Sequence, residues 1–210
     1  MDAHDWDLRY AEHELVWSAS PNQFVASELA ELRPGRALDL ATGEGRNALW
    51  LAERGWSVTA VDFSMTGLDK ARTLQTGHDR GRDLRIDWVH GDVLAYDAGA
   101  TPYDLVLLAY LQLPTDGRQR AVRRGYDALA RGGTFFVVGH DSTNLGEGTG
   151  GPQDPSVLFT AEDVLADLDG ERFEVEVAQR LPRTVQVADD HRGEASKTAY
   201  DAVVKLVRSG

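Results

Sequence analysis

Short apolar runs alternate with amphipathic stretches through the middle of the chain. The apolar runs predict β-strands at residues 36–41, 56–61, 84–89, 103–108 and 134–138. Between them, spaced apolar positions predict helices at residues 47–54, 64–74 and 116–130, the last ended by Gly132 and Gly133. Continuous apolar strands that alternate with helices are typical of a parallel sheet covered on both faces. The middle of the chain therefore predicts an α/β fold.

The N-terminal segment has a different pattern. Residues 5–19 predict a loose helix that carries three aromatic side chains, Trp6, Tyr10 and Trp17. A second helix is expected to run to about residue 32. Ser20 would cap it, Pro21 would take the first helical position and Gln23 would complete a capping box.

The C-terminal third predicts one more helix and a hairpin. Thr160 to Asp163 is a helix start, and the helix is expected to reach Leu168. Residues 172–187 and 198–207 predict two strands joined by a polar turn over residues 189–196. The sheet is therefore expected to end in an antiparallel pair.

Together these elements predict a single doubly wound, Rossmann-like domain. Its seven-stranded, mostly parallel sheet carries helices on both faces and a C-terminal antiparallel hairpin. We divide the domain 1–210 into an N-terminal helical lid (1–33), a cofactor-binding core (36–140) and a final part with loop, helix and hairpin (141–210).

Charge and composition narrow the possible partners. The formal net charge is −12, which argues against nucleic acid or an anionic membrane surface as partner. The chain has no cysteine, so disulfides, thiolate metal sites and cysteine nucleophiles drop out. The acidic start does not resemble a signal peptide, and no apolar run has membrane-spanning length. We expect a cytoplasmic protein with a small-molecule partner, and the sequence leaves the oligomeric state open.

A glycine loop follows the first predicted strand. Gly43, Gly45 and Ala48 match the pattern G-x-G-x-x-A, and Asp62 ends the next strand, which together allow an NAD-dependent oxidoreductase. However, Asp39 lies four positions before Gly43, where a carboxylate would repel a pyrophosphate. The same carboxylate would attract a cofactor that carries an ammonium and a sulfonium.

The remaining acids of the core agree with such a cofactor. The helix after the glycine loop offers N–H groups and a positive dipole end to the carboxylate of a methionine moiety. Asp62 is placed to accept hydrogen bonds from ribose hydroxyls, and Asp92, after Gly91, from an adenine amino group. The alternative is structural: Asp39 caps a turn, and Asp92 is an ordinary loop acid.

Four stretches of the core resemble the class I S-adenosylmethionine-dependent methyltransferases: residues 37–45, 61–64, 90–93 and 103–106. The sequence Gly-Arg-Asn at residues 45–47 is similar to the tellurite-resistance and thiol or halide methyltransferase branch, in which an aromatic N-terminal segment folds over the cofactor. Ala41 departs from the glycine usual in the wider family. The resemblance and the physical argument together imply a cofactor site made of Tyr10, Trp17, Asp39, Ala41, Gly43, Gly45, Arg46, Asn47, Asp62, Phe63, Ser64, Gly91, Asp92, Val93 and Ala109.

The acceptor side is expected at the ends of the fourth and fifth strands. Methyl transfer needs a general base only if the acceptor must lose a proton. His140 is a candidate base, with a structural pair to Asp141 as the alternative. Tyr110 and Gln112 should border the methyl group, and Tyr110 is expected either to stack or position the acceptor, or only to pack.

The terminal hairpin holds further candidates for the acceptor site. In the tellurite-resistance branch a His-Arg pair serves the acceptor, and the resemblance transfers this role to His191 and Arg192, or to Arg183. The alternative for this segment is a solvated turn. No metal is expected, because His90 and Asp92 lack a third ligand.

The sequence therefore predicts methyl transfer from S-adenosylmethionine to a small acceptor held under the N-terminal segment and the loop 141–158. The alternatives are an NAD-dependent oxidoreductase and a non-catalytic module that binds S-adenosylmethionine. The acceptor itself is left open among thiol, halide, metalloid, quinol, carboxylate and small heterocycle.

Overall fold

The computed structural model describes residues 3–12, 15, 20–188 and 194–210. Within them, one mixed sheet runs in the order β3-β2-β1-β4-β5-β7-β6. Its strands are β1 (Arg36–Leu40), β2 (Ser57–Asp62), β3 (Ile86–His90), β4 (Tyr103–Ala109), β5 (Leu129–His140), β6 (Phe173–Ala188) and β7 (Glu194–Arg208). The first five strands are parallel, and β7 pairs antiparallel with both β5 and β6. The predicted fold class is confirmed, with the turn residues 189–193 outside the described part.

Helices cover both faces of this sheet. They are α1 (Ala3–Ala11), α2 (Gln23–Leu29), α3 (Arg46–Glu53), α4 (Met65–Gly77), α5 (Thr115–Asp127), α6 (Asn144–Glu147) and α7 (Ala161–Asp167), with a 3-10 turn at Pro155–Val157. None of the helices in the described ranges is long and apolar enough to cross a membrane.

Strand β4 shows how the two faces are filled. Leu105 and Leu107 point into the core beneath α2 and α3, whereas Val106 and Leu108 point into the core beneath α5 and α7. This alternation follows from the period of two along a strand. Because both faces are buried, the strand reads as a continuous apolar run rather than as alternating polar and apolar residues.

The order of the strands places a switch point at the centre of the sheet. From β1 the chain moves outward to β2 and β3, and then returns to lay β4 on the other side of β1. The loops that leave β1 and β4 therefore run in opposite directions. A crevice opens between them at the carboxyl ends of the strands, where open α/β sheets bind ligands.

The predicted start of α2 is wrong. Asn22, rather than Ser20, caps the helix, and its side-chain oxygen accepts from the N–H groups of Phe24 and Val25. An Asn oxygen one residue before the helix satisfies two N–H groups that lack intrahelical partners, so the helix begins two residues later. Pro21 therefore lies outside the helix.

Two further boundaries differ from the prediction, and one is confirmed. Helix α5 ends at Asp127, and strand β5 already begins at Leu129, opposite Tyr103, before a register shift over Gly132. Pairing with β4 thus overrides the helical pattern at residues 128–130. The helix start at Thr160 is confirmed, because Thr160 and Asp163 form a reciprocal capping box.

Candidate functional site

A cavity, partly open to solvent, lies at the switch point between β1 and β4. The loops after the first four strands form its walls, and α1 closes its top. The lining residues are Trp6, Tyr10, Ala41, Thr42, Gly43, Glu44, Arg46, Asn47, Asp62, Phe63, Asp92, Val93, Ala109, Tyr110, Leu111, Gln112 and Leu113.

The backbone N–H groups of the glycine loop are already bonded within the protein. Thr42 N–H donates to the carbonyl of Val61 over 3.0 Å, and Gly45 N–H donates to the carbonyl of Thr42 over 3.0 Å. Gly43 N–H donates to Asp62 Oδ2 over 2.7 Å. The loop is therefore held by its own strand neighbours, and the N–H groups of Thr42, Gly43 and Gly45 already have acceptors within the protein.

Asp39 is buried beneath this loop. Thr42 Oγ1 donates to Asp39 Oδ2 over 2.7 Å, while Asp39 Oδ1 has no hydrogen-bond partner among the described residues. Burial raises the pKa of Asp39 to about 7, against the opposing effect of the Thr42 hydrogen bond. Asp39 does not line the cavity itself but acts on it through Thr42, which does.

The other two acids lie at the cavity wall. Asp62 accepts from the N–H groups of Gly43 and Ser64, and burial raises the pKa of Asp62. Asp92 is exposed, and its Oδ1 accepts from Leu94 N–H over 2.8 Å. A carboxylate has about four lone-pair sites, so both acids keep acceptor capacity towards the cavity.

The loop contains three residues with positive φ, and Gly43 and Gly45 among them lie against different side chains. Gly43 (φ 57°) lies under Tyr10, whose hydroxyl is 2.6 Å from the position that a Cβ of Gly43 would take. Gly45 (φ 77°) lies outside the cavity, and its Cβ position is 2.4 Å from Cη2 of Trp88. The space that a side chain at Gly45 would take is therefore filled by Trp88. Ala41 (φ 61°) adopts the left-handed conformation in which glycine would be relaxed.

The first residue of α3, Arg46, places a positively charged side chain at the cavity. Arg46 lines the cavity, and burial lowers the pKa of its guanidinium. Its neighbour Asn47 accepts from the N–H of Asn22 over 2.9 Å, which ties α3 to the start of α2. The α3 end of the cavity thus carries the guanidinium of Arg46 next to the carboxylate of Glu44, which pairs with Lys70, whereas the ends of the first three strands are acidic.

Tyr110 forms the wall at the carboxyl end of β4. Its hydroxyl donates to Asp201 Oδ2 over 2.8 Å and accepts from Asn22 Nδ2 over 3.1 Å. Burial raises the pKa of Tyr110 above its usual range, and the charge of Asp201 raises it further. Tyr110 is therefore a neutral phenol that donates its hydroxyl hydrogen to Asp201. The residue has a positive φ of 57°, and its side chain forms part of the cavity wall.

Asp201, on β7, joins three of the residues on the acceptor side. Arg183 Nε donates to Asp201 Oδ2 over 2.6 Å, and His140 Nδ1 lies 3.4 Å from Asp201 Oδ1. Burial favours a raised pKa for Asp201, but its contacts with His140 and Arg183 outweigh burial and lower the pKa. The structural pair of His140 with Asp141 is wrong, because Asp141 instead accepts from the N–H and hydroxyl of Thr143.

His140 and Arg183 do not line the cavity. The His140 ring packs 4.8 Å from the Tyr110 ring, and the Arg183 guanidinium lies 5.8 Å from the same ring. Both side chains therefore contact the Tyr110 ring and can affect the cavity only through the position of that ring. Asp201 was not identified from the sequence, although an acid within the apolar run at residues 199–206 was a usable signal.

Comparison with known proteins identifies the core. Residues 37–133 match the methyltransferase domain family. This part of the chain is similar to a methyltransferase domain. The predicted resemblance to the class I S-adenosylmethionine-dependent methyltransferases is thereby confirmed, together with the sheet order described above.

One curated relative matches about half of the chain. The chain is 31% identical over 123 residues to the tRNA 5-carboxymethoxyuridine methyltransferase of Escherichia coli K12, a match covering 56% of this chain and 45% of that protein. The chain thus spans about half the length of this relative.

Two solved structures share the fold at low sequence identity. The N-methyltransferase NodS of Bradyrhizobium japonicum, in complex with S-adenosyl-L-homocysteine, is 15% identical, with a TM-score of 0.72 over the whole of both chains. TehB of Haemophilus influenzae is 18% identical, with a TM-score of 0.71 over 90% of this chain and 63% of that one.

The structure brings most of the predicted cofactor residues to one cavity. Those that line it are Tyr10, Ala41, Gly43, Arg46, Asn47, Asp62, Phe63, Asp92, Val93 and Ala109. Those that lie beside it are Asp39, Gly45, Ser64 and Gly91. Trp17, His191 and Arg192 lie outside the described residues. Among the described residues, no group of three or more potential ligands is arranged for a metal ion.

Proposed function

We propose that the chain binds S-adenosylmethionine in this cavity and transfers its methyl group to a small-molecule acceptor, leaving S-adenosylhomocysteine. The observation that carries the proposal is the carboxylate of Asp39, which is buried beneath the glycine loop and accepts from Thr42 Oγ1. A pyrophosphate at this loop would be repelled by a carboxylate beneath it. A cofactor with sulfonium and ammonium groups is attracted by the same charge.

Each part of the cofactor has a matching part of the cavity. The acceptor sites that Asp62 and Asp92 keep open suit the ribose hydroxyls and the adenine amino group, respectively. The α3 end, where the helix N-terminus and Arg46 meet the cavity, suits the methionine carboxylate. Asp39 beneath Thr42 lowers the electrostatic potential of the loop and so favours the ammonium group.

The chain's own contribution to the reaction is positioning and exclusion of water. Bound here, S-adenosylmethionine supplies an electrophilic methyl group for in-line displacement by the acceptor. Apolar walls from Val93, Leu111 and Leu113 and the covering helix α1 keep water from the reacting atoms. Tyr110 is a positioning wall and not a base, because Asp201 holds its proton.

The acceptor end lies near Tyr110 and Gln112. His140 and Arg183 support this wall from behind, and a role in which either touches the acceptor requires movement of Tyr110. We infer that acceptors without an acidic proton to remove, such as thiolates, halides or amines, suit this end best.

The two alternatives make different predictions. An NAD-dependent oxidoreductase requires free loop donors, and the bonded N–H groups of Thr42, Gly43 and Gly45 argue against it. A non-catalytic module would have no room beside the sulfonium, whereas the cavity continues past Ala109 to Gln112 and Leu113.

Calorimetry with S-adenosylhomocysteine tests cofactor binding. The wild-type chain should bind this ligand, and NAD at the same concentration should produce no heat of binding. Asp92→Asn should weaken S-adenosylhomocysteine binding about tenfold or more, because a charge-assisted hydrogen bond is lost. Asp87→Asn is the matched control, since Asp87 is exposed on β3 and does not line the cavity. Equal affinities for the two variants, or no binding by the wild-type chain at 1 mM ligand (about the upper end of useful affinities), would refute the proposal.

The acceptor requires a methyl-transfer screen. Thiols, halides, metalloid oxyanions, quinols, carboxylates and heterocycles should be offered with labelled S-adenosylmethionine, and transfer to one class should exceed the rate without acceptor. A tRNA sample belongs in the same screen because one relative acts on tRNA. The net charge of −12 predicts no transfer to tRNA, because an acidic protein repels the phosphate backbone. We therefore propose a cytoplasmic enzyme with a small-molecule acceptor.

A further inference from the structure

Helix α1 is held against α4 by hydrogen bonds near its centre and at its end. Near its centre, the carboxylate of Asp7 accepts from Ser64 Oγ over 2.5 Å and from the N–H of Thr66 over 3.2 Å. At its end, the carbonyl of Tyr10 accepts from Lys70 Nζ over 2.5 Å. Both points lie on the first turns of α4, so α1 is held against α4 while its inner face covers the cavity.

The inner face of α1 is aromatic. Trp6 and Tyr10 lie one helical turn apart, their ring centroids are 5.5 Å apart, and both line the cavity. The Tyr10 hydroxyl reaches the Cα side of Gly43 and leaves no space for a side chain there. A shift of α1 away from α4 would therefore open the cavity directly above the glycine loop.

The contact of Asp7 is also linked to the cofactor residues. Ser64 donates its hydroxyl to Asp7 and its N–H to Asp62 Oδ1, so one serine bridges the two carboxylates. Asp62 in turn accepts from Gly43 N–H. A continuous hydrogen-bonded chain thus runs from the covering helix to the glycine loop, by way of the residue proposed to bind the ribose.

We propose that Asp7 is a positioning residue for cofactor binding, which holds α1 closed through Ser64 and links this closure to occupation of Asp62. The inference rests on the proposed function. In the empty site the carboxylates of Asp7 and Asp62 repel each other across Ser64. Hydroxyl donors from a bound ribose disperse the charge of Asp62 and so strengthen the attachment of α1.

The test combines Asp7→Asn with amide hydrogen exchange and S-adenosylhomocysteine binding. Glu12→Gln is the matched control, because it removes the same charge from an exposed position at the end of α1. In the wild-type chain, S-adenosylhomocysteine should slow exchange over residues 3–12. In Asp7→Asn this protection should be lost, and the dissociation constant should rise about tenfold through faster dissociation.

If Asp7 had a purely structural role, its replacement would lower the Tm of the ligand-free chain. Asp7 lies on a terminal helix, so Asp7→Asn should leave the Tm of the ligand-free chain within about 2 °C of the wild type. Unchanged protection and affinity in Asp7→Asn would overturn the inference. So would a wild-type chain that binds S-adenosylhomocysteine without slower exchange over residues 3–12, and this result would leave the proposed function standing. Absence of binding by the wild-type chain would instead refute the proposed function.

Discussion

Replacing Asp39 by Asn is expected to stabilise the folded chain while weakening the cofactor site. Asp39 is buried, and its Oδ1 has no hydrogen-bond partner among the described residues. Burial raises its pKa from 3.8 to about 7. Because the folded-state pKa lies above the unfolded value, the folded state binds more protons between these pH values, and stability falls as pH rises through this window.

The size of the effect follows from this shift. A shift of about 3 pKa units corresponds to about 4 kcal/mol of lost stability once Asp39 is ionised in both states, above pH 7. At pH 5 the loss is only about 1–2 kcal/mol, because most folded molecules still carry the proton. Asn keeps an acceptor for Thr42 but buries an unpartnered amide, which costs about 1–3 kcal/mol at every pH. The stability gain from Asp39→Asn should therefore grow by about 2–3 kcal/mol between pH 5 and pH 8.

Urea unfolding of both chains at pH 5, 6, 7 and 8 measures this difference. The amide penalty cancels in the comparison across pH, so the change in the gain tests the pKa of Asp39 directly. Asp87→Asn, at an exposed position, should show a difference that does not vary with pH in this range. A gain that is the same at pH 5 and pH 8 would refute the reasoning, since Asp39 would then be ionised in the folded chain without penalty. Asp39→Asn should also bind S-adenosylhomocysteine at least about tenfold more weakly at pH 8, where the carboxylate is charged.

Three further substitutions test the loop and the core. Ala41→Gly should raise stability by about 0.5–1 kcal/mol in thermal unfolding, because glycine relaxes the positive φ, and a loss would contradict this. Gly45→Ala should lower the free energy of unfolding in urea by about 2–4 kcal/mol, because its Cβ would clash with Trp88, and an unchanged midpoint would exclude that clash. Arg118→Ala should cost about 3–5 kcal/mol in the same assay by leaving Asp167 buried without its partner at 2.7 Å, and a loss under about 1 kcal/mol would show that water reaches Asp167.

The sequence alone was sufficient for the fold class and for the acidic side of the cavity. Continuous apolar strands that alternate with amphipathic helices leave a doubly covered parallel sheet as the way to bury them. Parallel strands end at one edge, so Asp39, Asp62 and Asp92, each at or near the end of its strand, had to meet there. Helix ends were less well determined, because Ser20 and Asn22 compete as caps and their local signals are similar.

The tertiary structure decided which distant residues meet behind the cavity wall. Antiparallel pairing of β5 with β7 places Asp201 directly opposite His140, and pairing of β7 with β6 brings Arg183 within 2.6 Å of the same carboxylate. A slip of one residue between β5 and β7 would turn Asp201 to the other face of the sheet. Local patterns carry no information about that register, so the acid in this segment could be noticed but its partners could not be assigned. The attachment of Asp7 to Ser64 is equally non-local, because it depends on where α1 docks and not on the residues that make it a helix.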